Sequence, residues 1–191
     1  MQFKTLFAAA AAAATVTAQN TTTGSNSTTP AAFGVLSIRS GSELQYAAWQ
    51  AANNGIFNLL PEQNASCDDA AGNYNSATFR IVDGELYLYS TENPPQYFYV
   101  DRSGMGQGKI GFTTGAEPAP KNAERAGWAV TASSQLQFDG AGFLACPGYE
   151  SDAYEIWLAG ISDHPGYNYN CTGVATRVVA MTAPVSCLYQ S

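Results

Sequence analysis

The sequence predicts an all-β fold, a single antiparallel domain of on the order of ten to twelve short strands. After Pro30, Val, Ile, Tyr, Phe and Thr dominate, in runs of about four to eight residues in which apolar and polar positions alternate. Asp83-Gly84 lies between two such runs and is a strong signal for a two-residue hairpin turn. Apart from a weak segment at 44–52, no amphipathic stretch exceeds about two helical turns.

The N-terminal part of the chain differs in composition from the rest. Residues 1–18 combine Lys4, an alanine-rich apolar run and the closing motif Val16-Thr17-Ala18, which predicts a signal peptide cleaved after that motif. The Thr/Ser-rich segment at 19–31 has too few apolar residues to form a core, so we expect a disordered, glycosylated tail. The all-β domain is expected at 32–191. It contains no run of the ~20 apolar residues that a spanning helix needs, so no membrane partner is expected.

Four cysteines follow the tail: Cys67, Cys146, Cys171 and Cys187. An even number of cysteines in an exported chain predicts two disulfides. Three pairings are possible, and the short separation favours Cys171–Cys187 as a clasp near the C-terminus, with Cys67–Cys146 as the long link. The chain has no Cys-x-x-Cys spacing and one histidine, so we expect no zinc site and no other cofactor.

Glycosylation signals and net charge narrow the range of partners. Four Asn-x-Ser/Thr sequences predict N-linked glycans at Asn20, Asn26, Asn64 and Asn170. The formal net charge is −7, and an acidic chain is repelled by nucleic acid and by anionic membranes. We therefore expect no nucleic-acid partner.

The glycine-rich stretch DRSGMGQGKIG, at 101–111, is similar in composition to a phosphate-binding loop. Such a loop needs Gly, four residues, and then Gly-Lys-Ser/Thr before a helix. Here Gly104 is one position too close to Gly108-Lys109, and Ile110 stands where the hydroxyl residue is required. A strand pattern follows instead of a helix. We therefore predict a hairpin loop whose three internal glycines supply positive φ angles.

A weak internal repeat suggests how the strands are arranged. Phe33, Phe79 and Trp128 each open a strand of the form aromatic-x-Val/Ile, and a turn and further apolar strands follow each of them. Three such units would close a pseudo-threefold barrel of the β-trefoil type. A two-sheet β-sandwich explains the same strands without a repeat and is the alternative. The last strand, around 177–181, is expected to pair with the first near Val35.

Two strands place tyrosines on one face of the sheet. In LYLYS, Tyr87 and Tyr89 alternate with leucines, and in YFYVD, Tyr97 and Tyr99 alternate with other apolar residues. If these strands pair, the four tyrosines form an aromatic patch able to stack on sugar rings, which makes them the candidate carbohydrate contact. The alternative is that they are ordinary strand residues packed against the sheet.

The candidate catalytic side chains do not form a recognisable site. His164 follows Asp163 in a Pro/Gly turn, and the chain has no Gly-x-Ser-x-Gly elbow, so an exposed turn histidine is expected. Glycoside hydrolysis requires two suitably spaced carboxyl groups. The candidates, most of them beside glycines or at strand ends, are Asp83, Glu85, Asp101, Asp139, Glu150 and Asp152. We expect no catalytic residues.

Several stretches are similar to one known family. The segment VDRSGMGQGKIGFTTG…PAPKNAERAGW resembles the central block of the fungal PhiA cell wall proteins, and the matching pieces also include SGSELQY, IFNLLPEQNASCD, SATFRIVDGELYLY, LQFDGAGFLACP, EIWLAG and PVSCLY. The resemblance extends from Phe33 to Tyr189. It implies a secreted, glycosylated cell wall protein that acts in phialide and conidium development, in asexual sporulation and in protection under stress. It implies no catalytic residues.

The residues and the resemblance together favour a secreted, non-enzymatic wall protein. We expect it to be held in the cell wall by noncovalent contacts with glucan or chitin. A secreted lectin-like module that binds carbohydrate away from the producing cell is the alternative, and a weak glycosidase is a third hypothesis. Binding to purified polysaccharide without release of product separates the first two hypotheses from the third.

Overall fold

The computed structural model describes residues 29–69, 72, 74–148 and 152–191. These residues form fifteen strands and a 3-10 turn at Pro165–Tyr167. In chain order the strands are β1 (Phe33–Ile38), β2 (Gln50–Ala52), β3 (Gly55–Asn58), β4 (Ser66–Cys67), β5 (Phe79–Val82), β6 (Glu85–Leu88), β7 (Gln96–Asp101), β8 (Lys109–Thr114), β9 (Ala123–Glu124), β10 (Trp128–Val130), β11 (Leu136–Phe138), β12 (Phe143–Pro147), β13 (Tyr154–Leu158), β14 (Thr172–Ala180) and β15 (Cys187–Leu188). The predicted signal peptide at 1–18 and most of the predicted tail at 19–31 lie outside the described residues.

Eight of these strands close an antiparallel barrel. The order around the ring is β1, β5, β6, β7, β8, β13, β12 and β14, and β14 pairs again with β1. Val35 lies opposite Val178, which confirms the predicted pairing of the last long strand with the first. The other strands are additions to the ring: β2 and β3 extend from β13, β9 pairs with β7, and β10–β11 and β4–β15 form two-stranded sheets. Within the described ranges, no helix has the length and apolarity to cross a membrane.

The all-β prediction is confirmed, whereas the threefold arrangement is not. Phe33 and Phe79 open β1 and β5, which are neighbours in the ring, but Trp128 opens β10, which belongs to a separate hairpin. A ring of eight strands does not divide into three equal units, and one closed ring also differs from two stacked sheets. The number of strands exceeds the expected ten to twelve because six of them span only two or three residues. Alternation over so few residues cannot be detected in a sequence.

Aromatic rings fill the interior of the barrel. The β10–β11 hairpin contributes Trp128, whose ring centroid lies 5.2 Å from that of Phe138 and 6.1 Å from that of Phe143. The largest fully buried aromatic side chains are Trp49, Phe33, Phe57, Phe79, Phe98, Phe112, Phe138 and Phe143. Burial of this apolar area is the main driving force for folding. Because rings occupy the interior, the outer surface of the barrel is the place for ligand contacts.

Two predicted hairpins are confirmed, with one correction. Asp83-Gly84 joins β5 to β6 at φ angles of 50° and 79°, the left-handed pair that a type I′ turn requires. The glycine-rich loop joins β7 to β8, but among its internal glycines only Gly108 has a positive φ, of 91°. Gly104 and Gly106 do not have positive φ angles. Gly106 is required for space instead, because a Cβ atom at this position would collide with Asp101.

The disulfides differ from the expected pairing. Cys67 is bonded to Cys187 and Cys146 to Cys171, so the expected Cys171–Cys187 clasp and Cys67–Cys146 link are wrong. The sheets explain the observed pairs. Strand β4 pairs with β15 so that Cys67 lies directly opposite Cys187, and β12 carries Cys146 beside the start of β14, which Cys171 precedes. Separation along the chain says nothing about which strands are neighbours in space.

Candidate functional site

The strand tyrosines lie on the outer face of the barrel, on the side that the alternation predicted. Tyr87 and Tyr97 are opposite each other in β6 and β7, and their ring centroids are 5.6 Å apart with the ring planes at 81°. Tyr99 shares the outward face of β7. Tyr89 follows the end of β6 and is half-buried, and its amide donates to the Thr78 carbonyl at 2.7 Å. The structure therefore brings Tyr87 and Tyr97 together and places Tyr99 next in line.

Arginine side chains cover the faces of two of these rings. The Arg125 guanidinium carbon lies 4.2 Å from the Tyr97 ring centroid, and that of Arg80 lies 5.5 Å from the Tyr87 centroid. Both are cation–π contacts. The Tyr97 hydroxyl also donates to the Gly115 carbonyl at 2.7 Å. A sugar that stacked on either covered face would first have to displace an arginine.

Hydrogen bonding and burial set the acidity of the outer tyrosines. The Tyr87 hydroxyl donates to Glu85 Oε2 at 2.6 Å, and this bond to a carboxylate, followed by burial, raises the pKa of Tyr87 to about 12. Burial, followed by the charge of Asp101, raises the pKa of Tyr99. The Tyr99 ring packs over Gly111, where any side chain would collide with it. These hydroxyls are neutral hydrogen-bonding groups at ordinary pH.

Three other tyrosines are much more exposed than the strand tyrosines. The exposed fractions of Tyr46, Tyr167 and Tyr169 are 67%, 80% and 73%. Strand alternation did not reveal these residues, because all three lie outside the strands. A usable signal was present in SDHPGYNYN, where two tyrosines stand among Pro, Gly and Asn, the residues typical of exposed turns.

His164 is an exposed turn residue, as predicted. Its ring packs on Tyr169 with centroids 4.2 Å apart, and its backbone amide donates to the Ser162 hydroxyl at 3.2 Å. The neighbouring Asp163 is exposed. The histidine therefore packs against an exposed aromatic ring in this turn.

The carboxylates considered for catalysis have local structural contacts. Asp101 Oδ1 accepts a hydrogen bond from the Ser103 amide at 2.9 Å, and Asp139 forms an ion pair with Arg102 at 3.0 Å. Glu85 accepts from Tyr87, Asp83 forms part of a turn, and Asp152 is exposed with a φ of 65°. Glu150 lies outside the described residues. Within the described ranges, no group of three or more His, Cys, Asp or Glu side chains could hold a metal ion.

Two clefts lie beside the exposed tyrosines. The segment 161–171, which we call the strap, leads from β13 to β14 and forms one side of a cleft of about 150 Å³. That cleft is lined by Cys146, Pro147, Gly148, Glu155, Trp157, Pro165, Gly166 and Asn168. Tyr46 lines the other cleft, of about 410 Å³, together with Ile38, Ser133, Gln135, Ala175, Thr176 and Arg177. Both clefts combine apolar and hydrogen-bonding groups.

Two of the four predicted glycosylation positions can be located. Asn64 and Asn170 are exposed, and Asn170 adjoins Tyr169 at the end of the strap. Asn20 and Asn26 lie outside the described residues.

Comparison with known proteins places the chain in a family. The family model described as "PhiA-like secreted protein" matches residues 33–190, which include all fifteen strands. The chain is 51% identical to the "Cell wall protein phiA" of Aspergillus fumigatus over 158 residues, which cover 82% of this chain and 84% of the relative. It is also 51% identical to the Aspergillus niger protein of that name over 167 residues, covering 87% and 89%.

A more distant relative spans the same region. The "Cell wall protein phiA" of Arthroderma benhamiae is 32% identical over 169 residues, which cover 85% of this chain and 90% of the relative. No solved structure matches the chain. The chain therefore belongs to the PhiA-like secreted protein family, and it is a secreted protein of the cell wall.

Proposed function

We propose that the chain is a non-enzymatic component of the fungal cell wall that binds wall polysaccharide, glucan or chitin, noncovalently. The observation that carries the proposal is 51% identity to proteins named for the cell wall, over a match that spans the whole barrel. From the same sequence similarity we propose a role in asexual development, in phialide and conidium formation, and in protection under stress.

The architecture suits a protein that has to stay folded for a long time outside the cell. Aromatic rings fill the barrel, and two disulfides join distant parts of the chain. The candidate carboxylates Asp101 and Asp139 hold a turn and an ion pair, which are structural roles. Disulfide-linked domains of this kind persist in the oxidising environment outside the cell. A durable binding protein is therefore a better match to these features than a catalyst.

Neutral polysaccharide is the ligand class that suits the outer surface. Sugar rings present CH groups to aromatic side chains and hydroxyls to hydrogen-bonding groups. The net charge of −7 opposes binding to anionic polymers. The strand tyrosines Tyr87, Tyr89, Tyr97 and Tyr99 are one proposed contact surface, with ring edges and hydroxyls reaching the sugar where arginines cover the ring faces.

We also propose N-linked glycans at Asn20, Asn26, Asn64 and Asn170. The exposure of Asn64 and Asn170 supports this assignment, because an acceptor side chain has to accommodate a bulky glycan in solvent. Glycans on the surface would keep the protein soluble during export.

Sedimentation with insoluble β-glucan and with chitin tests the binding proposal. We expect the secreted, oxidised protein to sediment with at least one polymer and to release no soluble sugar from it. The double change Tyr87→Ala/Tyr99→Ala tests the strand surface, and we expect weaker retention with an unchanged circular dichroism spectrum. Failure to sediment with either polymer contradicts the function. Release of sugar that a single Asp→Asn change abolishes would instead support a glycosidase.

Fractionation of native walls separates the wall role from the lectin-like alternative. We expect most of the protein in the wall fraction, and detergent alone should release it because the contacts are noncovalent. Recovery mainly from the culture medium supports a lectin-like module that acts away from the producing cell. Release only after glucanase digestion contradicts noncovalent attachment.

A further inference from the structure

The strap is fixed to the barrel at several points. The Gly166 amide donates to Gln107 Oε1 at 2.8 Å, and Asn168 donates its side-chain amide to the Pro147 carbonyl. The disulfide from Cys171 to Cys146 holds its C-terminal end. Side chains on this segment are therefore presented by a preorganised backbone, which reduces the entropy lost when a ligand binds.

Tyr167 lies in a tight turn of the strap, where its amide donates to the His164 carbonyl at 3.0 Å and the Asn168 amide donates to the Pro165 carbonyl at 3.1 Å. Its φ is 62°, and it follows Gly166 at 60°, so two successive residues are left-handed. This region is unfavourable for a bulky residue, and Gly or Asn would adopt it at lower cost. Packing does not compensate, since 80% of the Tyr167 side chain is exposed. The turn therefore holds an unpacked aromatic ring in solvent on the strap, where it is available to contact a ligand.

The cleft under the strap contains a positioned carboxylate. Only 16% of the Glu155 side chain is exposed, and its Oε1 forms an ion pair with Lys109. Its Oε2 accepts a hydrogen bond from Trp157 Nε1 at 3.1 Å. A carboxylate can accept about four hydrogen bonds, so Glu155 retains capacity for hydroxyl groups that enter the cleft. Gly166 packs against the Trp157 ring, where a Cβ atom would lie 3.1 Å from the ring carbon Cζ2.

We propose that the strap and its cleft form a binding site for neutral pyranose units of wall polysaccharide. This inference rests on the proposed function and names a site for it. Tyr167 stacks on a sugar ring, Tyr169 offers the ring face that His164 does not cover, and Glu155 accepts a sugar hydroxyl. The net charge of −7 disfavours anionic sugars, and Lys109 already pairs with the carboxylate in the cleft. Among the residues that the structure describes, arginines cover the faces of Tyr87 and Tyr97 but none covers that of Tyr167.

Titration with soluble oligosaccharides tests the site. The probes are a β-1,3-glucan hexamer and an N-acetylglucosamine hexamer, and the readout is tryptophan fluorescence. Trp157 borders the cleft, whereas Trp49 and Trp128 are buried in the barrel core with exposures of 0% and 2%. We expect at least one probe to change the fluorescence, and the change should disappear in Trp157→Phe, which removes the reporter that borders the cleft.

Substitution of Tyr167 separates binding from folding. Asn accepts a left-handed backbone, so Tyr167→Asn should preserve or raise the melting temperature while it weakens probe binding by about three- to tenfold. Tyr167→Phe keeps the ring and should bind within about twofold of the wild type. Tyr46→Asn is the matched control, since Tyr46 is also exposed and left-handed, with a φ of 66°, but lines the other cleft.

The outcomes distinguish this inference from the proposed function. A wild-type protein that binds neither the insoluble polymers nor the probes overturns both. Wild-type binding that Tyr167→Asn and Tyr169→Ala leave unchanged overturns the strap site and leaves the proposed function standing. Loss of binding in Tyr46→Asn, with none in Tyr167→Asn, also overturns the strap site. Loss in Tyr167→Asn with retention in Tyr46→Asn and Tyr167→Phe supports it.

Discussion

Tyr189 is a buried tyrosine whose polar groups all have partners in the barrel. Its hydroxyl accepts a hydrogen bond from the Thr78 amide at 3.0 Å, and its backbone forms a pair of hydrogen bonds with the side-chain amide of Gln96, at 2.8 and 2.9 Å. Burial raises the pKa of Tyr189 to about 12, although the hydrogen bonds from Thr78 act in the opposite direction. The residue therefore attaches the C-terminal segment to the barrel in its neutral form.

Removal of this hydroxyl should cost stability. In Tyr189→Phe the buried Thr78 amide loses its partner, which should lower the free energy of unfolding by about 1–3 kcal/mol at pH 8. Urea unfolding measures this, with the exposed Tyr46→Phe as the matched control, for which we expect a change within about 0.5 kcal/mol. A Tyr189→Phe variant as stable as the wild type at pH 8 would show that the hydrogen bond contributes nothing net.

The raised pKa of Tyr189 predicts that the protein loses stability at alkaline pH. Burial raises the pKa of Tyr189 from its ordinary value of 10.0 to about 12, so the folded state retains the proton more strongly than the unfolded state. Its contribution to stability is therefore complete below pH 10 and declines as the pH rises toward 12. Over that interval the advantage of the wild type over Tyr189→Phe should shrink. An advantage that grows with pH would contradict the direction of the shift.

At the scale of the element, the β7–β8 hairpin shows that glycines in one loop have different roles. Gly108 needs its positive φ, and a Cβ atom there would lie 2.8 Å from the Leu158 carbonyl oxygen. Its own carbonyl accepts a hydrogen bond from the Leu158 amide at 2.8 Å, which ties the hairpin to β13. Gly104 has no such constraint, since a Cβ atom there would meet nothing within 4 Å.

Alanine substitutions should separate these roles. Gly108→Ala places a side chain in a left-handed backbone against a carbonyl group, and we expect it to lower the free energy of unfolding by roughly 1–3 kcal/mol. Gly104→Ala in the same loop is the control and should change it by no more than about 0.5 kcal/mol. Thermal and urea unfolding measure both variants. Equal losses in the two variants would mean that the loop responds to glycine content and not to backbone geometry.

At the scale of the whole molecule, local signals determined only the parts of the fold that depend on neighbours in sequence. Asp83-Gly84 identified its hairpin because a type I′ turn needs two left-handed residues in succession. Alternation identified which side of β7 faces outward. Closure of eight strands depends on contacts between residues far apart. The pairing of the last long strand with the first was predicted, but the resemblance among Phe33, Phe79 and Trp128 did not report the other neighbours in the ring, such as β12 with β13.

The candidate site was predictable to the same limited degree. Alternation predicted that the tyrosines of β6 and β7 share one face. It did not predict that Arg125 covers the Tyr97 ring, because this arginine comes from a segment that follows β8. The only sequence signal for the exposed strap tyrosines was that Pro, Gly and Asn, residues typical of turns, surround them. The exposure of Tyr167 depends on the folded turn at 165–168, which the sequence does not state directly.

The two disulfides constrain the whole molecule to different extents. Cys67–Cys187 joins residues separated by 120 positions, and Cys146–Cys171 joins residues separated by 25. A longer closed loop restricts the unfolded chain more, by about 5 kcal/mol for the first disulfide and about 3.5 kcal/mol for the second in the loop-entropy account. Both bonds have one cysteine that is 3% exposed, so the two substitutions create comparable losses of packing.

Paired alanine substitutions that remove one disulfide at a time should therefore show which of the two contributes more to the free energy of unfolding. We expect Cys67→Ala/Cys187→Ala to lower the free energy of unfolding more than Cys146→Ala/Cys171→Ala, by about 1–2 kcal/mol, because the first bond closes the longer loop. Urea unfolding under oxidising conditions, with the remaining disulfide intact, measures the difference, and the fully reduced wild type supplies the lower limit. A larger loss from the second pair would mean that the fixed strap, and not the long loop, limits unfolding.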